Sequence, residues 1–406
     1  MNISNSHRRI VNKDAYLRPV LLIGLFLALT TMYFLVLYNE VYAIIFSLFI
    51  LAFVTITFKW QADLRFVFTG VAIFTFFKIY NFFLFSPITG PDSSKYFQQT
   101  QYYNTLKDFF IMAINVMQER GVYGATSYTI FGIFYMPFYF LLNLSLPQSI
   151  ALFNSLAIVA IIYIWHKITV HYFSNQLTAP QLKLFNGFLV IMLFISPVLT
   201  YWSSAFLKDV FGLFLGVISL FLFMKKRYVL TIIFVLIAIA IRPYALAFIF
   251  CFWLINTQRN KLALIGALSA SAFVVYKAGV IGLVNTVPMM ARILMTPNPF
   301  SLENWSSFFF PTVEGIIVIL GTMFALINFL GNKESRRIYI TFFFALVIYA
   351  CTLTLVGHTI LLSRDLDYGI LSAGDDMFRK KLPFMLVTYT MIAYTVSTYK
   401  NRLRLK

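Results

Sequence analysis

Charged residues are scarce in this chain of 406 residues, at 11% of all positions. Soluble domains have about a quarter of their residues charged, so a soluble domain of ordinary composition is excluded. Hydrophobic residues instead make up 60%, and 47 positions are phenylalanine. The long uncharged runs suit membrane helices and are too continuous for barrel strands. The composition predicts an all-α, polytopic transmembrane helical bundle with about 10–12 membrane segments of roughly 20 residues each.

Cysteine and histidine are also sparse. Cys251 and Cys351 lie inside apolar runs, so neither a disulfide framework nor a metal site is indicated. The four histidines are scattered without metal-ligand spacing. The sequence contains no P-loop and no dinucleotide-type glycine motif, so ATP-driven transport by this chain alone is not expected.

Acidic residues are few beside basic ones: 14 against 32, a formal net charge of +18. Nucleic acid is not a predicted partner, because DNA binding needs a basic face on a soluble domain. The Lys and Arg residues lie instead in short loops between apolar runs, which is the pattern that orients membrane proteins. It predicts a multi-pass protein with both termini cytoplasmic and a retained first helix.

Following the apolar runs from the N-terminus gives three helices, at about 19–38, 41–58 and 66–85, which leave Ser86 outside. Counting back from the basic C-terminal tail gives a last helix at about 383–399 and an outer loop at 361–382. We therefore divide the chain into an N-terminal two-helix hairpin, 1–65, and a membrane catalytic domain, 66–406.

The first large outer loop is predicted at 86–147, far longer than most connections. A helix at 148–165 must run inward, toward a loop holding His166, Lys167 and Lys183. The two counts agree only if the apolar run Tyr128–Ser145 does not cross the membrane. We expect it to form an interfacial helix or hairpin on the outer side.

Arg242 and Pro243 interrupt the apolar stretch 228–255. Proline removes a helix hydrogen bond and biases the preceding residue away from helix. Both ends of the stretch fall on the inner side, so we predict two half-helices that meet near the outer surface with Arg242 at the apex. Broken helices at membrane depth are tolerated where they line a cavity or pack within protein.

The acidic residues are unevenly distributed on this map. All of them except Asp14, Asp63 and Glu334 fall on the outer side or at outer helix ends. The positive-inside rule does not require that distribution. The outer face is therefore the expected place of any chemistry.

Asp92 opens the first outer loop immediately after a membrane helix. One interpretation is a base that removes a proton from an acceptor hydroxyl. The other is the N-cap of a helix beginning at Ser93, since Asp favours that position. The residues alone do not separate the two.

Positive side chains on the same side are candidate phosphate ligands. Lys208 is next to Asp209, which can cap a helix or pair with a cation. A central arginine such as Arg242 costs about 2.5 to 3.5 kcal/mol to insert, so it needs a partner. That partner is either a lipid phosphate, which a guanidinium binds bidentately, or Asp92 or Asp209. Arg379, Lys380 and Lys381 suit anionic lipid headgroups.

Taken together, these motifs resemble GT-C-type glycosyltransferases over about 80–400. The resemblance rests on Pro91-Asp92-Ser93-x-x-Tyr96, an interfacial segment with Pro137, Trp202-Ser203-Ser204-x-x-x-Lys208-Asp209, Arg242-Pro243-Tyr244 and Arg379-x-x-Leu382-Pro383.

The resemblance implies a hexosyltransferase-like enzyme of the bacterial inner membrane. Its sugar donor would be a polyprenyl-phosphate- or diphosphate-linked saccharide, and a glycan or lipid its acceptor on the outer face, amid membrane lipids. Asp92 would be catalytic. Lys208, Asp209, Arg242, Tyr244, Arg379 and Lys380 would bind carrier phosphate or substrate. Many members have two adjacent acids where this chain has Asp92 followed by Ser93, which leaves use of a divalent metal open.

Two other functions stay open on the sequence. The chain also resembles small enzymes of bacterial surface-polysaccharide clusters, including O-antigen polymerases, in which the acceptor is another repeat unit. A lipid-linked oligosaccharide flippase or secondary transporter belongs to a different class. Transporters favour broken helices in corresponding positions of two halves, and the sequence indicates one break, at Arg242.

Overall fold

The computed structural model describes residues 149–331, 335–363, 365–370 and 377–404, the stretches 91–101 and 110–119, and isolated positions between 73 and 135. Within these residues the chain is helical apart from the connections and contains no strand. The predicted hairpin 1–65 and most of Tyr128–Ser145 lie outside the described residues. Residues 110–119 are helical, in line with helices in the first large loop.

Between Ser149 and Leu362 the helices follow one another through short connections. The helices are α1 Pro91–Gln101, α2 Ser149–Phe173, α3 Ala179–Ile195, α4 Pro197–Ser204, α5 Asp209–Met224, α6 Tyr228–Ile241, α7 Ala245–Thr257, α8 Asn260–Met295, α9 Leu302–Ser307, α10 Phe309–Gly331, α11 Arg336–Leu362, α12 Met377–Lys380 and α13 Leu382–Arg404.

By length and composition, three described helices, α8, α10 and α11, are long and apolar enough to cross a membrane, with α8 counted as one helix in spite of the break described below. A fourth span is possible if α3 and α4, which are bent by 42° at Ser196, count as one. Side chains on the outward faces of these helices are large and apolar, as lipid contact requires. The all-helical class is confirmed, whereas the number of 10–12 segments stays a prediction.

The helices run between two ends of one bundle. At one end, Gln258 after α7 donates to Gln176 after α2 (2.7 Å), and Thr341 near the start of α11 donates to Asn260 (2.5 Å). We call this the basic end, because it carries the cations Lys225, Lys226, Arg227, Arg259, Lys261, Arg336 and Arg337. We call the opposite end of the bundle the Arg242 end. It contains the start of α2, the start of α5 and the break between α6 and α7.

The predicted break at Arg242 is confirmed, since α6 ends at Ile241 and α7 begins at Ala245. Both half-helices pack along α5. Gly212 faces Ile241 and Arg242, whereas Gly216, one turn further along, faces Phe248. The chain therefore reverses at the break, and both half-helices begin or end at the basic end.

A second break lies within α8, which the sequence did not indicate. Gly279 has φ 65° and ψ −167°, a conformation that is essentially restricted to glycine. The two parts of α8 then lie beside each other, because Ser271 and Thr286 both reach the sulfur of Cys351 on α11.

The helix predicted at 148–165 is longer in the structure. α2 continues to Phe173, so His166 and Lys167 lie inside it and not in a loop, and Lys183 lies in α3. The extension is stabilised by packing: Trp165 donates to Thr390 on α13 (3.0 Å), and Phe173 contacts Tyr394. The hydropathy of the sequence does not indicate that α2 continues beyond residue 165, because one face of its last turns is polar.

We expect Gly216→Ala to destabilise the α5–α7 contact. An added Cβ would lie 2.3 Å from Phe248 Cε2, and such overpacking costs about 1–3 kcal/mol. That exceeds the gain of about 1 kcal/mol from replacing glycine in a helix. Thermal unfolding of the detergent-solubilised protein should show a lower midpoint, partly recovered in Gly216→Ala/Phe248→Leu. An unchanged midpoint would contradict the packing described.

Candidate functional site

Five of the predicted site residues meet at the Arg242 end, and we call them the charged cluster: Asp92, Lys208, Asp209, Arg242 and Arg379. They come from four separate elements. α1 supplies the first, the α4–α5 junction the next two, the α6–α7 break the fourth and α12 the last. The cluster thus depends on long-range packing.

Asp92 is an accessible acid within the first turn of α1. The helix begins at Pro91, a favoured first helical residue, so Asp92 is the second helical residue and not the N-cap. Its carboxylate instead accepts from both terminal nitrogens of Arg379, at 3.3 and 3.4 Å. About half of the side chain, 49%, remains exposed.

Lys208 and Asp209 are both buried at the start of α5. The connection before them is held by Asn154 of α2, whose amide donates to the carbonyls of Ala205 and Leu207 (3.4 Å each). The ammonium of Lys208 lies 5.5 Å from the ring centre of Tyr96, within cation–π range.

Arg242 takes the extended conformation expected before a proline, with φ −142° and ψ 115°. Its guanidinium donates to Asp209 Oδ2. Of the two partners that the sequence left open, the structure therefore has the ion pair with Asp209. Tyr244 lies close enough to interact electrostatically with the same guanidinium.

Asp209 is shared between two arginines. The Nε of Arg379 lies 3.7 Å from the same Oδ2 that Arg242 contacts. The other oxygen, Oδ1, and the Nε of Arg242 are buried without a hydrogen-bond partner in the described part of the chain. Buried polar atoms of this kind are uncommon and call for an explanation. One explanation is that the charged cluster binds a polar ligand, which would contact these atoms.

Arg379 lies on a short helix that is fixed on both sides. The indole N–H of Trp202 donates to the carbonyl of Phe378 (3.1 Å), and the hydroxyl of Tyr349 donates to the carbonyl of Lys380 (2.5 Å). Lys380 is buried on the same helix.

Positive charge exceeds negative charge in the cluster. Counted over the residues described, three cations face two carboxylates. The pKa of Lys208 is held well below its usual value, first by burial and then by Arg242, although Asp209 and Asp92 oppose the shift. An anionic ligand would favour the charged form of this lysine, so the site is suited to an anion.

Sequence reasoning missed two residues that build the site, whereas Tyr96 already belonged to the quoted sequence motif. Asn154 and Tyr349 position the loops on either side of the cluster, and each is a polar group in an apolar run, which was the available signal. Tyr96 follows Asp92 by four residues and so lies on the same face of α1. No set of three His, Cys, Asp or Glu side chains in the described residues is placed to hold a metal ion.

No protein-family model, no curated protein and no solved structure matches the chain. The likeness to GT-C-type glycosyltransferases therefore stays a prediction.

We expect Asp209→Asn to be strongly destabilising, because it leaves the buried guanidinium of Arg242 without its counter-charge. Breaking a buried ion pair from one side costs about 3–5 kcal/mol. Thermal unfolding of the solubilised protein measures the loss.

Asp92→Asn is the matched control for this change. It removes an acid from the same cluster, but the side chain is half exposed, and exposed pairs contribute about 0–1 kcal/mol. Equal losses in the two variants would contradict the central place given to Asp209.

Proposed function

We propose that this protein is an integral membrane glycosyltransferase of the bacterial inner membrane. It would move a sugar or oligosaccharide from a polyprenyl-phosphate or -diphosphate carrier to a glycan or lipid acceptor on the outer face. The observation that carries the proposal is the charged cluster: an accessible carboxylate, Asp92, bound to a guanidinium, Arg379, beside a buried lysine, at one end of an apolar helical bundle.

Asp92 is the base in this proposal. A group that removes a proton from an acceptor hydroxyl must be reachable by that hydroxyl. Asp92 meets the requirement with its half-exposed side chain, whereas Asp209 is buried and bound by Arg242 and Arg379. We therefore assign Asp209 a supporting role, in which it holds the two arginines.

Arg379 and Lys208 are the carrier-phosphate ligands in this proposal. As the sugar leaves the carrier, negative charge develops on the phosphate, and preorganised cations stabilise it. Arg379 faces Asp92, so a bound phosphate and the base would be neighbours. Arg242 does not bind the phosphate in this proposal; it binds Asp209, which in turn holds Arg379. Tyr244 lies beside the guanidinium of Arg242.

An apolar groove of about 600 Å³ supports a lipid-linked donor. It runs between α8, α10, α11 and α13 and is lined by Leu294, Met295, Met323, Phe329, Phe342 and Met391 among others. Met295 is followed by Thr296, whose carbonyl accepts from Lys381, two residues after Arg379. The groove thus comes close to the segment that carries the proposed phosphate ligand, and its lining suits a polyprenyl chain.

The distribution of charge supports the outer face as the location. The basic end carries the Lys and Arg residues that the positive-inside rule assigns to the cytoplasmic side. The charged cluster lies at the other end, so it would face outward, where sugars are carried by lipids and nucleotide sugars are absent.

Two alternatives are tied to particular observations. A repeat-unit polymerase needs the same cluster and differs only in its acceptor. A flippase or secondary transporter is favoured by the second break, at Gly279, since broken helices recur in transporters. That break carries no buried charge: Gly279 and the neighbouring Lys277 are exposed. We therefore prefer the transferase.

We expect Asp92→Asn to reduce sugar transfer by at least about 10²-fold, because removing a general base typically costs that much or more. The measurement is the electrophoretic profile of surface polysaccharide in a strain that lacks the gene and carries the variant. Glu303→Gln, which alters an exposed acid in the connection between α8 and α10, is the control and should restore the profile fully.

The profile also separates the alternatives. Loss of chain-length ladders with one repeat unit retained indicates a polymerase, and a missing side sugar indicates a single transfer. Accumulation of an inward-facing lipid-linked intermediate indicates a flippase. A normal profile with a properly inserted Asp92→Asn protein would end the enzyme proposal.

We expect binding of a long-chain polyprenyl diphosphate to weaken toward alkaline pH. Lys208 has a lowered pKa, so it loses its charge at a lower pH than an exposed lysine does. The dissociation constant of the purified protein, measured by thermophoresis, should rise over that range. Lys208→Met should bind more weakly at lower pH, where the wild-type lysine is charged, and should lose this dependence on pH. The same alkaline rise in Lys208→Met would exclude Lys208 as its source.

A further inference from the structure

A second buried polar centre lies beside the charged cluster, around Glu314 of α10. The carboxylate accepts from the hydroxyl of Ser196 (2.5 Å), from the backbone N–H of Val198 (2.7 Å) and from the hydroxyl of Tyr389. Only 3% of Glu314 is exposed. Such a carboxylate is costly to bury unless its lone pairs are used, and here they bind three elements together.

The first of these elements is α4. Glu314 binds the N–H of Val198, and the hydroxyl of Ser196 binds the N–H of Leu199 (3.2 Å), so both side chains cap the first turn. These bonds satisfy backbone N–H groups at the bend of 42° between α3 and α4, where Pro197 interrupts the helix. At the far end of α4, Trp202 donates to the carbonyl of Phe378, the residue before Arg379.

The second connection runs through Lys381. Its ammonium donates to the carbonyl of Thr296 and is attracted by the charge of Glu314. Burial lowers the pKa of Lys381 to about 8, and Glu314 opposes that shift. Lys381 follows Lys380 directly and precedes α13, to which Tyr389 belongs.

Arg379 therefore lies between two contacts that lead back to Glu314. On one side Phe378 is bound by Trp202, and on the other Lys381 is attracted to Glu314 itself. The two hydrogen bonds of Arg379 with Asp92 are already long, at 3.3 and 3.4 Å. A shift of about an ångström would break both, since hydrogen bonds weaken steeply with distance.

We infer that Glu314 is a positioning residue, which fixes Arg379 against Asp92 through α4 and through Lys381. It does not touch the proposed substrate. Its role in binding the carrier phosphate rests on the proposed function, whereas its hold on the Trp202–Phe378 contact does not.

The experiment uses the full-length protein labelled with 5-fluorotryptophan. The fluorine resonance of Trp202 is assigned with Trp202→Phe and reports the contact with Phe378. Trp253 on α7 serves as an internal reference away from this contact. In the same samples, thermophoresis measures the dissociation constant for a long-chain polyprenyl diphosphate.

We expect Glu314→Gln to move the Trp202 resonance, to leave that of Trp253 in place and to raise the dissociation constant about tenfold. The amide accepts only through its one oxygen, so either the N–H of Val198 or the two hydroxyls lose their acceptor. Asn328→Leu is the matched control. It removes another buried polar group of α10, bonded to Tyr339 near the basic end, so it should lower thermal stability without moving the Trp202 resonance.

If Glu314→Gln does not fold, Ser196→Ala removes one of the three donors and should give the same shifts at smaller size. An unmoved Trp202 resonance in a folded variant overturns the inference, and so does a moved resonance with wild-type affinity. If the wild-type protein binds no polyprenyl diphosphate, the proposed function fails. The movement of the Trp202 resonance then decides the positioning role alone.

Discussion

A buried carboxylate shared by two guanidinium groups is the interaction on which the Arg242 end depends. Asp209 contacts Arg242 and Arg379 through the same oxygen. Without Asp209, two buried positive charges would lie beside Lys208 with only the half-exposed Asp92 to offset them. The desolvation of buried ions costs several kcal/mol each, which is why this pairing dominates the energetics there.

The helices around Asp209 are arranged so that this pairing can form. Pro243 stops α6 and turns the chain, and the small side of α5 at Gly212 and Gly216 lets both half-helices approach. Trp202 and Tyr349 then hold the short helix that carries Arg379. Backbone interruptions, which a membrane tolerates only when they are buried in protein, thus bring the charged residues together.

Much of this was predictable because its signals are local. A proline after an arginine in an apolar stretch predicts a break wherever the stretch is placed, and the break at Arg242 was found. Alternating apolar runs and basic loops placed Asp92, Lys208, Asp209 and Arg379 at one end. By contrast, Gly279 was missed, because a lone glycine in an apolar run has many uses, and its positive φ is visible only in the folded chain. Glu314 was missed as well, because on the sequence it is one outer acid among many. Its three hydrogen-bond donors are each more than 70 residues away in sequence.

The sequence by itself determined the helical class, the membrane-like composition, the break at Arg242 and the set of charged residues that share an end. These follow from hydropathy and proline geometry, which act over a few turns of chain. The tertiary structure alone decided that Arg242 binds Asp209 and that Asp92 stays half exposed beside Arg379. Which carboxylate a buried arginine meets depends on how each helix is rotated and shifted, and packing between distant segments sets that.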